Sequence, residues 1–272
     1  MATDMIGFIG AGQMARALAR GLVSAGLVQA ENLCASDPVA EARTAFQEMV
    51  PGARVSTANR EIVSAASTIV LAIKPQQMEA VLDEIAEALD ESKLLISIAA
   101  GVRLSQIGDR LAAGVRLIRV MPNTPCLVGE GASGYTLGIH TTAADAEFVD
   151  RMLRSVGQTF PLEENLLDAV TALSGSGPAF FSAVLAALSD GGSRMGLPAE
   201  VAGGLALQTM LGTATYLQST GETPELLKKR VSSPGGTTLA GLAALESHHL
   251  HEALVAAVEA ATRRSRELGS GE

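Results

Sequence analysis

Five short, almost wholly apolar runs punctuate the first 121 residues, and four of them lead into a stretch patterned for a helix. "MIGFI" precedes "QMARALARGLVSAG", and "NLCAS" precedes "VAEARTAFQEM". "STIVLAI" precedes "QQMEAVLDEIAEAL", "LLISIAA" precedes "LSQIGDRL", and "VRLIRVM" runs into a polar loop. Near-continuous apolar strands separated by amphipathic helices require a parallel sheet covered on both faces. "ASGYTLG" and "GQTFPL" read as further strands at the margin of that sheet, with the helix "AADAEFVDRMLRSVG" between them.

After "LEENLLDAV" the strands stop. Helical patterns are expected at about 177–196, 198–220, 223–231, 237–246 and 248–268. The chain is therefore expected to be α/β, a doubly wound parallel sheet over 1–163 followed by an all-α domain over 164–272. Two uncharged stretches, 169–189 and 201–221, have the length of a membrane span. The first is interrupted by "SGSGP" and the second carries Gln208, Thr209, Thr213, Thr215 and Gln218, so both read as helices buried on nearly every side. A domain of that size cannot cover helices that are apolar all round, which calls for a second subunit.

The formal charge of −9 and the lack of a basic cluster argue against nucleic acid as a partner. Two cysteines, Cys34 and Cys126, are too few for a disulfide framework and lack metal-ligand spacing. His248, His249 and His251 fall together without an acidic or thiol partner at matching spacing, so no metal is expected. "MATDMIGFIG" enters a strand almost at once, leaving no room for a signal peptide, and the expected compartment is the cytoplasm.

Directly after the first strand, "GFIGAGQMARAL" sets Gly10, Gly12 and Ala15 in the G-x-G-x-x-A pattern, opening a helix. Gly10 permits the tight turn, Gly12 admits a pyrophosphate to the backbone, and Ala15 lets the helix pack close to the strand. Ile9, Gly10, Ala11, Gly12, Gln13 and Met14 are accordingly expected to hold a dinucleotide. The second strand ends in "ASDP", where Asp37 is placed to accept hydrogen bonds from the ribose hydroxyls and to repel a 2′-phosphate. Ser36, Arg43 and Asn59 are alternatively placed to gather around such a phosphate, and Asn59 also reads as an N-cap for "REIVSAA". The ends of the next two strands supply Ala72, Ile73, Lys74 and Pro75, then Ala99, Ala100 and Gly101. Small residues there leave room for a flat ring.

A second loop of the same kind, "VSSPGGTTLAGLAALES", opens a helix in the C-terminal half. Proline fixes its turn, Gly235 and Gly236 expose backbone N–H groups, and the helix end adds a partial positive charge. Taken together, "GFIGAGQMA", "LAIKP", "SIAAGV", "RVMPNTP", "LSGSGPAF", "DGGSRMGLP", "QTMLGTA" and "VSSPGGTTLAGLAALE" resemble the pyrroline-5-carboxylate reductases over nearly the whole chain. That family catalyses the last step of proline biosynthesis. The resemblance implies an N-terminal Rossmann domain, a helical domain that interlocks with a partner as a homodimer, and further assembly that reaches decamers. It implies that 1-pyrroline-5-carboxylate is reduced with NADPH or NADH. By the same resemblance Ser233, Gly235, Gly236, Thr237 and Thr238 line the substrate site, Arg230 lies at its rim, and Glu164 contributes.

No histidine, cysteine or carboxylate pair stands out as a general acid. Reducing a cyclic imine needs little acid catalysis, because the nitrogen already carries a proton near neutral pH. The work is orientation, with the Thr238 hydroxyl expected near the imine nitrogen. Asn123, in "VMPNTP", is expected at the nicotinamide end of the pocket or in an ordinary turn. A β-hydroxyacid dehydrogenase shares the general plan, but that family carries a lysine early in the long helix, and "PAFFSAVLAALSDGG" has none. A reductase of a different cyclic imine and a catalytically silent nucleotide-binding regulator stay open. Asp37 departs from the small polar residue often found here in NADPH-using members, so the cofactor choice is open too.

Overall fold

The computed structural model describes residues 5–270. From Ile6 to Pro161 strand and helix alternate: β1 (Ile6–Ile9), α1 (Gln13–Ser24), β2 (Leu33–Ser36), α2 (Ala40–Met49), β3 (Arg54–Ser56), α3 (Asn59–Ala65), β4 (Thr68–Leu71), α4 (Met78–Ile85), β5 (Leu94–Ser97), α5 (Leu104–Gly108) and β6 (Arg116–Met121). Then come β7 (Gly131–Leu137), α6 (Ala143–Arg154) and β8 (Gly157–Pro161). One eight-stranded sheet results, in the order β3-β2-β1-β4-β5-β6-β7-β8. The six strands β1 to β6 pair in parallel, β7 runs antiparallel to β6, and β8 is parallel to β7. This is the doubly wound fold the apolar runs called for, with the two marginal strands in their expected place.

The strand β3 was not anticipated. It spans three residues on the sheet edge, an exposed arginine and half-exposed Val55 and Ser56, so its apolar signal is weak. Successive strand residues point to opposite faces, and the sheet accordingly separates two cores. Phe8, Val70 and Ile96 pack beneath Leu18 and Leu22 of α1 and Met152 and Leu153 of α6. Ile9, Ile69, Leu71 and Leu95 pack against Met78, Leu82 and Ile85 of α4. Each such side chain, fully buried, contributes about 1.5–3 kcal/mol.

Beyond β8 the chain is helical: α7 (Leu167–Val170), α8 (Gly177–Arg194), α9 (Ala199–Thr220), α10 (Pro224–Val231), α11 (Thr237–Ser247) and α12 (Leu250–Ser270). Thr171–Gly175 winds as a π-helical turn. The "SGSGP" expected to interrupt an apolar helix does so at one residue: the π turn ends at Gly175, Ser176 follows as a bend, and α8 starts at Gly177. By length and composition the run Glu164–Arg194 would suffice to cross a membrane.

Packing divides the chain into two compact units. One holds the chain up to Ser176 together with the stretch from Ala260 onward, and the other is Gly177–Glu259. In the second unit α8 and α9 lie against each other, and a Cβ on Gly192 would come within 3.1 Å of the Ala202 Cβ. Ala202 is buried, yet the rest of α9 is not: Leu205, Leu207 and Leu211 are each more than half exposed. An apolar groove of about 550 Å³, lined by Phe181, Leu188, Leu205, Met210 and Leu217 among others, opens on these helices.

Candidate active site

The parallel register brings the strand ends into one row: Ile9 lies beside Ser36 on one side and Leu71 on the other, and Leu71 beside Ser97. Chain order reverses between β1 and β4, so the loops after these strands border the crevice where open α/β sheets take ligands. The expected residues Ile9–Met14, Ser36–Asp37, Ala72–Pro75 and Ala99–Ala100 all fall on this rim.

Gly10 holds φ +95° and donates its N–H to the Ser36 carbonyl at 2.7 Å. A Cβ on it would strike the Ala72 carbonyl oxygen. Gly12 differs. Its φ of −69° suits any residue, and a Cβ there would meet nothing within 4 Å. Gly12 is the N-cap of α1 and supplies no side-chain cap, and Arg16 makes the first helical bond back to it at 3.0 Å. The open space above Gly12 and the bare helix end fit a pyrophosphate, whose charge the first-turn N–H groups would meet. Gln13 is exposed and Met14 half-buried, packed on the core beneath.

Asp37 faces the same loop. Its Oδ2 accepts the Ala11 N–H at 2.9 Å and its Oδ1 the Val39 N–H at 2.9 Å. Ser36 is fully buried and donates to Asn59 Oδ1 at 2.7 Å, while Asn59 Nδ2 donates to Glu84 at 2.7 Å. Asn59 is the first residue of α3, and the N-cap is Ala58. Lys74 is exposed and opens the short 3-10 turn Pro75–Gln77. Asn123 is buried. It donates to the Ser174 carbonyl at 3.1 Å and accepts the Ala132 N–H at 2.9 Å, so both ends of its amide brace the loop after β6.

Glu164 belongs to the α/β unit. Its Oε1 accepts the Leu104 N–H at 2.7 Å at the start of α5 and pairs with Arg119 at 3.1 Å. Arg119 is 2% exposed and also lies 3.9 Å from Asp168, which accepts from the buried Ser265 hydroxyl at 2.7 Å. Sequence reading missed this buried ionic cluster. An arginine inside the run "VRLIRVM" was the available signal, since a charge in a buried strand needs a partner.

In the helical unit the chain leaves α10 at Ser232 and turns through Gly235, whose φ is +72°. The Gly236 N–H closes the turn on the Ser233 carbonyl at 3.0 Å. Gly236 then caps α11 without a side-chain bond, no acidic residue occupies the first turn, and Ala240 is the first residue bonded back, at 3.4 Å. A Cβ on Gly235 would stand in open space. Ser233, Gly235 and Thr237 are exposed and Gly236 and Thr238 half-buried, so the loop presents backbone N–H groups and hydroxyls together. Arg230 is held back by a 2.6 Å ion pair to Glu222 and a hydrogen bond to the Tyr216 hydroxyl. Neither partner was expected. Among the described residues no three His, Cys, Asp or Glu gather as a metal site.

Comparison with known proteins agrees with this geometry. Residues 164–268 match the family described as pyrroline-5-carboxylate reductase dimerisation, and residues 5–101 match the one described as NADP oxidoreductase, coenzyme F420-dependent. A pyrroline-5-carboxylate reductase of Arabidopsis thaliana is 42% identical over 97% of this chain and 95% of its own. A solved pyrroline-5-carboxylate reductase from Coxiella burnetii superposes with a TM-score of 0.91 at 34% identity, covering 98% of both chains. The Plasmodium falciparum pyrroline carboxylate reductase, solved with NADP bound, gives 0.88 at 33% identity over 99% of both.

Proposed function

The chain belongs to the pyrroline-5-carboxylate reductase family, and from that premise we propose that its two uncapped helix N-termini divide the binding work. The enzyme reduces 1-pyrroline-5-carboxylate to L-proline with NAD(P)H, the last step of proline biosynthesis. The observation that carries the division is the pair Gly12 and Gly236, each an N-cap with no side-chain cap in front of it.

At Gly12, the first turn of α1 takes the pyrophosphate, with Ile9, Gly10, Ala11, Gln13 and Met14 shaping the loop. Ser36, Asp37 and Asn59 serve the adenosine ribose side, and Ala72, Ile73, Lys74, Pro75, Ala99, Ala100 and Asn123 form the rest of the crevice. Bound there, a reduced nicotinamide supplies the hydride that the imine carbon accepts.

At Gly236, the free N–H groups of Thr237 and Thr238 meet the substrate carboxylate, aided by Gly235 and the Ser233 hydroxyl. Each charge-assisted hydrogen bond is worth about 1.5–3 kcal/mol. Arg230, tethered to Glu222 and Tyr216, adds positive charge at the rim without collapsing onto the loop. Glu164 is assigned to the substrate on the family resemblance, and its second carboxylate oxygen is not engaged by Leu104 or Arg119. Thr238 orients the proton at the imine nitrogen, so that the nitrogen is an amine once the carbon gains its new C–H bond. His248, His249 and His251 lie beyond the far end of α11, about 15 Å along the helix from Thr238, so none of them stands beside that hydroxyl. The functional division on this reading falls at 163/164.

We assign the exposed apolar faces of α8 and α9 to a homodimer, with decamers as the larger assembly. The match to a dimerisation family over 164–268 supports it, as does the exposure of Phe181, Leu205, Leu207 and Leu211. A second copy, rather than lipid, then covers the run Glu164–Arg194. Light scattering of the purified protein giving a folded monomer would remove the assignment. The free, buried thiols of Cys34 and Cys126 suit a reducing compartment and support a cytoplasmic placement.

The deciding experiment is the initial rate of NADH or NADPH oxidation with 1-pyrroline-5-carboxylate, with proline measured as product. Dinucleotide binding without turnover would move the chain to another cyclic imine or to a silent binding role.

A further inference from the structure

We propose that Asp37 makes this enzyme prefer NADH to NADPH. The proposal rests on reading the loop after β1 as the dinucleotide site and concerns which ribose that site accepts. The residue just past β2 is the one that meets the adenosine ribose in such folds. A free 2′-hydroxyl is a donor that a carboxylate accepts. A 2′-phosphate is an acceptor carrying close to two negative charges at neutral pH.

Three features of the structure decide between them. First, the carboxylate is fixed. Its Oδ2 is bound to the Ala11 N–H and its Oδ1 to the Val39 N–H, both at 2.9 Å. Ala11 is fully buried, so swinging Asp37 aside would strand a buried donor. Each oxygen keeps a further lone pair for a ribose hydroxyl. Second, the groups nearest Asp37 that could meet a phosphate already carry bonds within the protein. Arg43 Nη1 donates to the backbone carbonyls of Asp37 at 2.7 Å and Pro38 at 3.1 Å. The Ser36 hydroxyl is buried and spent on Asn59. Third, Asn59 turns its amide nitrogen to Glu84, which brings a second carboxylate rather than a cation to this end of the crevice.

The test is direct titration of the purified full-length enzyme with NADH and with NADPH, followed by nicotinamide fluorescence without substrate. The expected Kd is at least tenfold lower for NADH, equivalent to about 1.4 kcal/mol. Asp37→Asn keeps an acceptor for the Ala11 N–H while removing the charge, and it should tighten NADPH until the two constants agree within about threefold. Asp37→Ser, which also frees space, should shift the ratio the same way. Equal or tighter binding of NADPH by the wild type would overturn the proposal, as would an unchanged ratio in both variants. Binding of neither dinucleotide would instead remove the site reading beneath it, an outcome distinct from a wrong preference.

Discussion

The Ser265 hydroxyl, near the C-terminal end of α12, donates to Asp168 Oδ1 at 2.7 Å across 97 residues of sequence, and both side chains are buried. Asp168 otherwise has Arg119 at 3.9 Å as its counter-charge, and Arg119 shares itself with Glu164. Removing a donor from a buried carboxylate leaves its desolvation uncompensated, which costs about 1–3 kcal/mol. Ser265→Ala should therefore lower the unfolding free energy by that amount, read as a lower urea midpoint with the slope unchanged and both proteins compared at one concentration. A midpoint equal to the wild type would mean that water replaces the hydroxyl.

The two fingerprint glycines should fail in different ways. Gly10→Ala puts a side chain at φ +95° and against the Ala72 carbonyl, so the fold itself loses about 1–3 kcal/mol. At Gly12 the backbone is ordinary and the space above it open, so Gly12→Val should cost the fold only the poorer N-cap, about 1 kcal/mol. Its side chain fills the volume a pyrophosphate needs, and NADH affinity should fall at least tenfold. Thermal melts and NADH titrations of both variants check the contrast. A stable Gly12→Val protein that binds NADH normally would move the pyrophosphate elsewhere.

Burial pushes the Cys34 thiol up to about 11, outweighing the opposing pull of Arg54. Native protein at pH 8 should then leave Cys34 unreacted with a thiol-specific reagent, with rapid labelling once urea unfolds the chain. The pH dependence has a definite sign. The unfolded thiol ionises near 9.0 and the folded one only near 11, so this contribution is intact below pH 9 and is lost as pH rises toward 11. Denaturation midpoints at pH 8, 9.5 and 10.5 should fall for the wild type and flatten in Cys34→Ala.

The layer architecture was readable because strands buried on both faces must be apolar throughout, and β1, β2, β4 and β5 are buried at all four positions. β3 escaped because a three-residue edge strand with no buried position carries no such signature. The π turn at Thr171–Gly175 escaped for a different reason: apolar periodicity does not distinguish one wide turn from a loop. At the site, the two glycine loops were legible as local chemistry, whereas the partners of Asp37, Arg119 and Arg230 were not. Those partners come from other elements, Glu222 and Tyr216 for Arg230 and Ala11 for Asp37, and periodicity carries no information about which elements meet.

Thr238 bears on the reaction itself. It is the second residue of α11 and half-buried, and its hydroxyl stands in the turn whose N–H groups are assigned to the substrate carboxylate. Thr238→Ala should lower kcat roughly 10²-fold, the low end of what a positioned proton donor contributes, while the Kd for NADH stays unchanged. Thr238→Ser restores the hydroxyl and should recover most of the loss. Because an aliphatic hydroxyl does not titrate in the working range, the Ala variant should keep the limbs of the pH–kcat/KM profile in place and drop its plateau alone. A shifted limb would point to an ionising group acting through Thr238, and an unchanged plateau would hand the proton to solvent.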